Sequence, residues 1–570
     1  MSKEKAVRRI RAISALVLVF ASVLFFRLYT LQIVEGDKYK NKADRQYLQS
    51  NYDFFDRGSI YFQSKDGGLV SAATLKIGFI VALNPKQIKD PESVYERLNS
   101  VIPVDKASFD ESVSKKDDPY EEVAHRVSSD DAEKIKTLDI TGVTLYKERW
   151  RFYPGGSMAS HALGLLAFKG DEYGGRYGLE RYYENNLNRN SNSVFVNFFA
   201  EIFSNIKDTL SFDNTLEGEI VTTIEPSVQS FLESQIKKVD DSWQSDFTGG
   251  IIMNPKNGEI LALSIYPNFD PNNFQDVENP KIFSNPLVEN VFEMGSIIKP
   301  LTMAAGLDSG AVTAQTTYFD AGFLTLDRKT ISNFDGKGRG LVDMQEVLSQ
   351  SLNTGAAYVA GKIGNKKFAE YMLNYGINQK TGIDLPNETQ GLADNLESPR
   401  NIEYATASFG QGIAMTPIET VRALASLGNG GFLVTPHLAK KINYKIGGSK
   451  EISFPPPTQI LKSETSEEIS RMLVKVVDTA LLGGTVKIEN YSIAAKTGTA
   501  QIANLNEGGY YDDRFLHSFF GYFPAYDPQF IVFLFTSYPK GVKYASQTLT
   551  HPFIDTAKFL INYYEVPPDR

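Results

Sequence analysis

None of the 570 residues is a cysteine. Disulfide staples, thiolate nucleophiles and cysteine-ligated metals are therefore excluded, and the fold has to be held by packed cores. One core does not serve a chain of this length, so two or three folded units are expected. Apolar residues make up 42% and charged residues 22%, values of a globular chain rather than a disordered one. A formal net charge of −9 argues against nucleic acid as the main partner, because phosphate binding needs a basic surface.

The N-terminus reads as a membrane signal. Lys3, Lys5, Arg8, Arg9 and Arg11 precede an apolar run from Ala12 to Phe26, continued past Arg27 by Leu28–Val34. Arg27 lies near enough to the end of the run to snorkel to the interface. No small-residue cleavage site comes after it, so an uncleaved anchor is expected over a cleaved signal peptide or a buried helix. The basic cluster would stay in the cytoplasm, placing the chain beyond about residue 35 outside. The lack of cysteine fits that compartment.

Beyond the anchor the chain changes character once. Up to about Val239 it is charged and irregular, with strand-like pieces at Ile77–Leu83 and Ile140–Leu145. An amphipathic helix starting at Pro226 carries Val228, Phe231, Leu232, Ile236 and Val239 on one face and ends near Trp243. Then Gly250–Asn254 and Glu259–Ile265 flank a turn and predict a β-hairpin, as do Ser518–Phe523 and Phe530–Thr536. Leu341–Ile363, Glu464–Asp478 and Ile554–Tyr564 read as helices. Strands first, helices in the middle, then strands and a helix imply an antiparallel sheet covered by helices. This is an α+β plan.

The chemistry-bearing residues emerge by order rather than by any single motif. The chain has no G-x-S-x-G elbow, phosphate-binding P-loop or H-E-x-x-H pair, and its five histidines are scattered singly, so no metal site is expected. Gly336–Gly340 reads as an ordinary flexible loop. Ser296 and Lys299, three apart, would share a helix face, where an amine can take the serine's proton. That spacing alone means little, because it recurs at Ser2/Lys5, Ser112/Lys115, Ser204/Lys207, Ser234/Lys237 and Ser537/Lys540. Ser296 stands apart because two further elements come after it in order. Ser351-Leu352-Asn353 is the only S-x-N of the chain and lies in the helix-like Val347–Ile363. Lys496-Thr497-Gly498-Thr499 succeeds a strand-like Tyr491–Ala495 and is preferred for that reason over Lys380-Thr381-Gly382. A glycine at 498 would let a substrate backbone come close.

The ordered set S-x-x-K, S-x-N, K-T-G resembles that of penicillin-binding proteins and serine β-lactamases. The resemblance extends through Phe292–Pro300, Gly410-Gln411-Gly412 with Thr416-Pro417, and Lys496–Gln501; Met294 stands where a proline is usual, and Ala495 where a glycine is. Lys380–Asn387 resembles a non-catalytic segment of the same domain. Upstream, Arg57-Gly58, Tyr153-Pro154-Gly155-Gly156, His161, Gly164 and Gly178-Leu179-Glu180 resemble the pedestal of class B, monofunctional members. The family resemblance implies a cytoplasmic tail (1–11), a transmembrane signal anchor (12–34), an irregular pedestal or dimerisation-type domain (35–243) and a transpeptidase domain (244–570).

It further implies a peptidoglycan D,D-transpeptidase in the cytoplasmic membrane that binds stem peptides and β-lactams. Its partners would be a glycosyltransferase and other divisome or elongasome membrane proteins, with no cofactor and no metal. By that analogy Ser296 is the nucleophile and Lys299 its base, aided by Ser351, with Asn353 holding Lys299 and the substrate amide. Lys496, Thr497, Gly498 and Thr499 would form the carboxylate-binding strand. Arg57 and Glu180 are expected to form a structural ion pair. A D,D-carboxypeptidase or β-lactamase on the same acyl-enzyme, and a catalytically weak scaffold, are the alternatives.

Overall fold

The computed structural model describes residues 55–170, 172–189, 217–445, 448–504 and 508–570, together with positions 20, 22, 24 and 29. The expected anchor at 12–34 falls outside the described residues except for those four positions. Among the described residues no helix is long and apolar enough to cross a membrane.

The chain forms two compact units that no single cut separates: residues 75–150 belong to the smaller, and 57–74, 151–188 and everything from 205 on to the larger. In the smaller unit, the far end of β1 (Leu69–Leu83) pairs antiparallel with β2 (Glu121–Val127), and β3 (Val143–Phe152) joins β1 as well. Three short helices pack beside them: α1 (Pro91–Asn99), α2 (Lys106–Ser114) and α3 (Ser129–Thr137). Each begins on a side chain that accepts from a first-turn N–H, namely Asp90, Asp105 and Ser128. Val81, Leu98, Phe109 and Ile135 form the centre of this unit's core.

The larger unit is built on a five-stranded antiparallel sheet. Its strands are β4 (Phe247–Met253), β5 (Ile260–Tyr266), β6 (Ala494–Ala503), β7 (Tyr510–Phe523) and β8 (Phe530–Ser537), in the order β6-β7-β8-β4-β5. Both predicted hairpins form within it. Period-two alternation sorts the side chains. Phe519 and Phe523 of β7, with Val532 and Leu534 of β8, face a layer made by α4 (Pro226–Trp243) and the C-terminal α9 (Thr550–Tyr563). Phe231 and Phe559 of those two helices stack at 4.1 Å. Phe520 and Tyr522, with Ile531, Phe533 and Phe535, face the opposite core. That core includes α5 (Lys299–Asp308), α6 (Met344–Ser349), α7 (Asn353–Ile363) and α8 (Ser463–Lys475). Every residue of β8 is buried, and Phe530–Phe535 are apolar without alternation because both faces of the strand are covered.

Two expectations are corrected. The strand before Lys496 starts at Ala494 rather than Tyr491. Ser492 is drawn off the ladder because its N–H and hydroxyl both donate to Asp569, the former at 2.7 Å. The predicted helix Leu341–Ile363 is a short strand, Gly340–Asp343, followed by two helices broken at residues 350–352.

The expected Arg57–Glu180 pair is present and is part of a larger cluster. Glu180 is fully buried and accepts from Arg57 Nε at 2.7 Å and Arg151 Nε at 2.6 Å, while Arg57 also binds Glu184 at 2.7 Å. Burial alone would raise the Glu180 pKa, yet the two guanidiniums hold it below the usual carboxylate value. Arg151 Nη1 ties the cluster to the Gly58 carbonyl at 2.8 Å. Removing the shared anion would leave two guanidiniums facing each other out of water. Glu180→Ala is therefore expected to lose about 3–5 kcal/mol in urea unfolding, whereas Glu184→Ala, whose side chain is 30% exposed, should lose much less.

Candidate active site

Ser296 lies on a single 3-10 turn, Gly295–Ile298, that runs directly into α5 at Lys299. Side chains three apart eclipse on a 3-10 turn, so Ser296 and Lys299 leave the same face, in a tighter geometry than the α-helix expected from spacing. The turn is clamped from two sides. Ser518 of β7 donates to the Met294 carbonyl at 2.9 Å, and the Gly295 N–H donates to the Gly410 carbonyl at 3.1 Å. Both glycines have positive φ, and a Cβ on Gly410 would sit 2.3 Å from the Gly295 oxygen. Here the need for glycine is steric.

Lys299 is 1% exposed. Its Nζ donates to the Ser351 carbonyl at 2.5 Å and to Ser351 Oγ at 3.1 Å. Burial and then the nearby Lys496 charge drive its pKa far below the ordinary lysine value. Lys496 is itself buried, and that alone lowers its pKa to about 8. The helix break places Ser351 between α6 and α7 at φ +54, and this turns both of its oxygens to one amine. The S-x-N motif thus sits in a break rather than inside a helix. Among the described residues the expected hydrogen bond between Asn353 and Lys299 is not made. The Asn353 amide donates to the Ser332 carbonyl at 2.8 Å, and the two hydrogen bonds of Lys299 both go to Ser351.

Lys496, Thr497, Gly498 and Thr499 lie on β6, an edge strand paired on one side only with β7. The row of backbone groups on its free side remains available to an extended ligand. A Cβ on Gly498 would lie 2.3 Å from Ser518 Oγ and 2.8 Å from the Met294 carbonyl. The glycine thus permits β6 to approach the Ser296 turn. Thr499 Oγ1 accepts from the Ala545 N–H at 3.1 Å, which leaves the hydroxyl proton free to donate.

These elements enclose a cleft of about 1070 Å³ that brings together Ser296, Ser351, Asn353, Lys496, Thr497 and Thr499. Lys299 and Gly498 are buried and are not among the residues that line it. Lys380-Thr381-Gly382 does not line it; Thr381 is bound to Glu388. The cleft also has aromatic walls that sequence reasoning missed. Phe334 meets Tyr544 edge-on at 5.9 Å, and Tyr510 is bonded to Glu293 at 3.0 Å. Phe334 adjoins the glycine-rich stretch read as a bland loop, and its ring partner is 210 residues away in the chain, so no local pattern marks either.

The sequence profile of the penicillin-binding protein transpeptidase domain matches residues 248–557, and that of the penicillin-binding protein dimerisation domain matches residues 56–198. This chain belongs to the penicillin-binding proteins. It is 31% identical over 552 residues to stage V sporulation protein D of Bacillus subtilis, covering 94% of this chain and 83% of that one. It is 24% identical over 585 residues to the peptidoglycan D,D-transpeptidase FtsI of Buchnera aphidicola subsp. Schizaphis graminum, covering 100% and 98%. Among solved structures, penicillin-binding protein 3 of Mycobacterium tuberculosis complexed with aztreonam superposes with a TM-score of 0.68 at 20% identity, covering 90% of this chain and 97% of that one. Penicillin-binding protein 2X of Streptococcus thermophilus gives 0.70 at 20% identity, covering 90% and 80%.

In this penicillin-binding protein, Gly498→Ala is expected to wedge β6 away from the Ser296 turn. The expected cost is about 1–3 kcal/mol in urea unfolding and on the order of a hundredfold in the rate of covalent reaction with a penicillin. Time-resolved intact mass of the protein reads the second effect directly.

Proposed function

We propose that this chain is a peptidoglycan D,D-transpeptidase that cross-links stem peptides through an ester on Ser296. The observation that carries the reading is the buried Lys299 amine, held by both oxygens of Ser351 in the cleft that exposes Ser296 and the edge of β6. Burial beside Lys496 favours a neutral amine, which is the form able to accept a proton. Ser296 Oγ attacks the carbonyl carbon of the penultimate D-alanine while its proton passes to Lys299. Collapse breaks the amide bond, and a proton relayed through Ser351 leaves with the amine of the terminal D-alanine. An amine of a second stem peptide then attacks the ester, forms the new amide and restores the Ser296 hydroxyl.

The backbone N–H groups of Ser296 and Thr499 would hold the oxyanion, typically the largest single catalytic contribution. Lys496, Thr497 and Thr499 would bind the substrate's carboxylate by charge-assisted hydrogen bonds, with Gly498 allowing the strand its position. Asn353, with one amide N–H on the Ser332 carbonyl, would offer its oxygen to the substrate's amide. β-Lactams would be attacked at the same serine. Further, we assign residues 1–11 to a cytoplasmic tail, 12–34 to a single-pass anchor, 35–243 to a pedestal and 244–570 to the transpeptidase domain, outside the cytoplasmic membrane and in reach of a partner glycosyltransferase.

Intact mass after incubation with a penicillin, on a chain starting near residue 40 and on its Ser296→Ala variant, tests the reading. One drug-sized adduct, stable for many minutes and absent from the variant, is expected; rapid loss of the adduct with turnover of the drug would mean a hydrolase, and no adduct would mean a scaffold. The second-order acylation rate should also be bell-shaped in pH. It falls in acid as Lys299 takes up a proton and can no longer act as base. It falls again above about pH 8 as Lys496 loses the charge that attracts the drug's carboxylate. An alkaline limb that begins only near the ordinary lysine pKa would contradict that role for Lys496.

A further inference from the structure

The break at Ser351 needs something to hold it. Helix α7 starts at Asn353, and its N-cap residue is Leu352, whose side chain cannot accept from the first-turn N–H groups. The acceptor comes instead from another part of the chain. Asn333 Oδ1 accepts from the Asn353 N–H at 3.0 Å and from the Thr354 N–H at 3.3 Å. The neighbouring Ser332 carbonyl accepts from the Asn353 side chain at 2.8 Å. One two-residue stretch of the cleft wall therefore grips Asn353 by both its backbone and its amide.

The orientation of Asn333 is set in turn by a buried carboxylate. Asp320, 1% exposed, faces Asn333 Nδ2 with both oxygens at 3.0 Å. A carboxylate only accepts, so it forces the Asn333 amide nitrogen toward itself and the amide oxygen toward α7. Asp320 is held by the Gly322 N–H at 2.9 Å, the Arg339 N–H at 3.0 Å and the Thr354 hydroxyl at 2.7 Å. On the opposite side of the break stands Lys299, bonded to the carbonyl and hydroxyl of Ser351. Ser351 is therefore fixed between a buried amine and an imported cap.

We propose that Asn333, oriented by Asp320, is a positioning residue that keeps Ser351 and Asn353 in register with Lys299, so that it sets the rate of acylation rather than the affinity for the encounter complex. Asn333 is 3% exposed and works through the cap, not through the ligand. The inference rests on the acyl-enzyme reading above. Without the cap, α7 would fray at its first turn, and Ser351 would leave the strained φ that presents both oxygens to the amine.

The test is the kinetics of penicillin acylation, resolved into the dissociation constant of the encounter complex and the first-order acylation constant, with the folded fraction and melting temperature of each variant measured alongside. For Asn333→Ala the acylation constant is expected to fall at least tenfold per folded molecule, with the encounter constant within about threefold of the wild type. Asn333→Asp should fall further, because two carboxylates then face each other. The exchange Asp320→Asn with Asn333→Asp rebuilds a complementary pair and leaves an acceptor on α7, so it should recover a large part of the rate. That exchange also carries the test if Asn333→Ala does not fold. An unchanged acylation constant, a loss confined to the encounter constant, or a loss fully explained by the folded fraction would each overturn the proposal. So would an exchange variant no faster than Asn333→Asp. If the wild-type chain forms no adduct, the acyl-enzyme reading fails first and this inference falls with it; a normal wild-type adduct with normal Asn333→Ala kinetics removes this inference alone.

Discussion

Burying the Lys299 amine is the constraint around which the cleft is arranged. An ammonium loses several kcal/mol of solvation when it leaves water, and a second lysine beside it makes the charged form costlier still. The protein meets this by shifting the amine toward its neutral form and by giving it two acceptors from one residue. Offering a carbonyl and a hydroxyl from the same serine requires the chain to leave helical geometry, and the break between α6 and α7 is the result. A serine at positive φ carries a strain of about 1–3 kcal/mol, tolerated only where the surroundings over-determine it. Lys299 on one side and the Asn333 cap on the other supply that determination.

The same constraint explains why the large sheet presents its edge where it does. Lys496 lowers the Lys299 pKa only if β6 comes close to the Ser296 turn. Gly498 permits that approach, and Ser518 on the adjacent strand pins the turn in place. The thoroughly buried β8 gives the strands on either side a rigid reference. By contrast, the Glu180 cluster shows ionic burial with the opposite outcome. There a carboxylate is paired with two guanidiniums and stays charged, so it can tie distant parts of the chain together but has no proton to move.

How much of this could be read from the residues depends on whether the deciding interaction was local. The α4 face, the two hairpins and the C-terminal helix are dictated by periodicity, and they formed with their expected apolar residues inward. Ser296 and Lys299 were legible because i,i+3 geometry is local, though the 3-10 character of the turn was not. The order of three motifs picked out the residues that the cleft assembles, which spacing alone did not, given the decoys of the same form. The break at 350–352 was illegible because Val347–Ile363 has a sound helical pattern, and what interrupts it is an amine more than 50 residues earlier in the chain. The start of β6 was misread for the same reason, since Asp569 removes Ser492 from the ladder from 77 residues away.

Asn333 illustrates the general case. In the sequence it is one asparagine beside a glycine-rich stretch, a pattern that reads as a turn. Its significance comes from a missing group elsewhere: Leu352 occupies a position where serine, threonine, aspartate or asparagine would normally cap a helix. Once the fold breaks the helix there, the apolar N-cap at Leu352 demands a polar partner, and only the fold could say which residue it was. The demand also explains why that partner belongs to the cleft wall. A cap drawn from the wall that lines the groove links the helix break to whatever occupies the groove, whereas a side chain at 352 would have satisfied the helix and left the break independent of the wall.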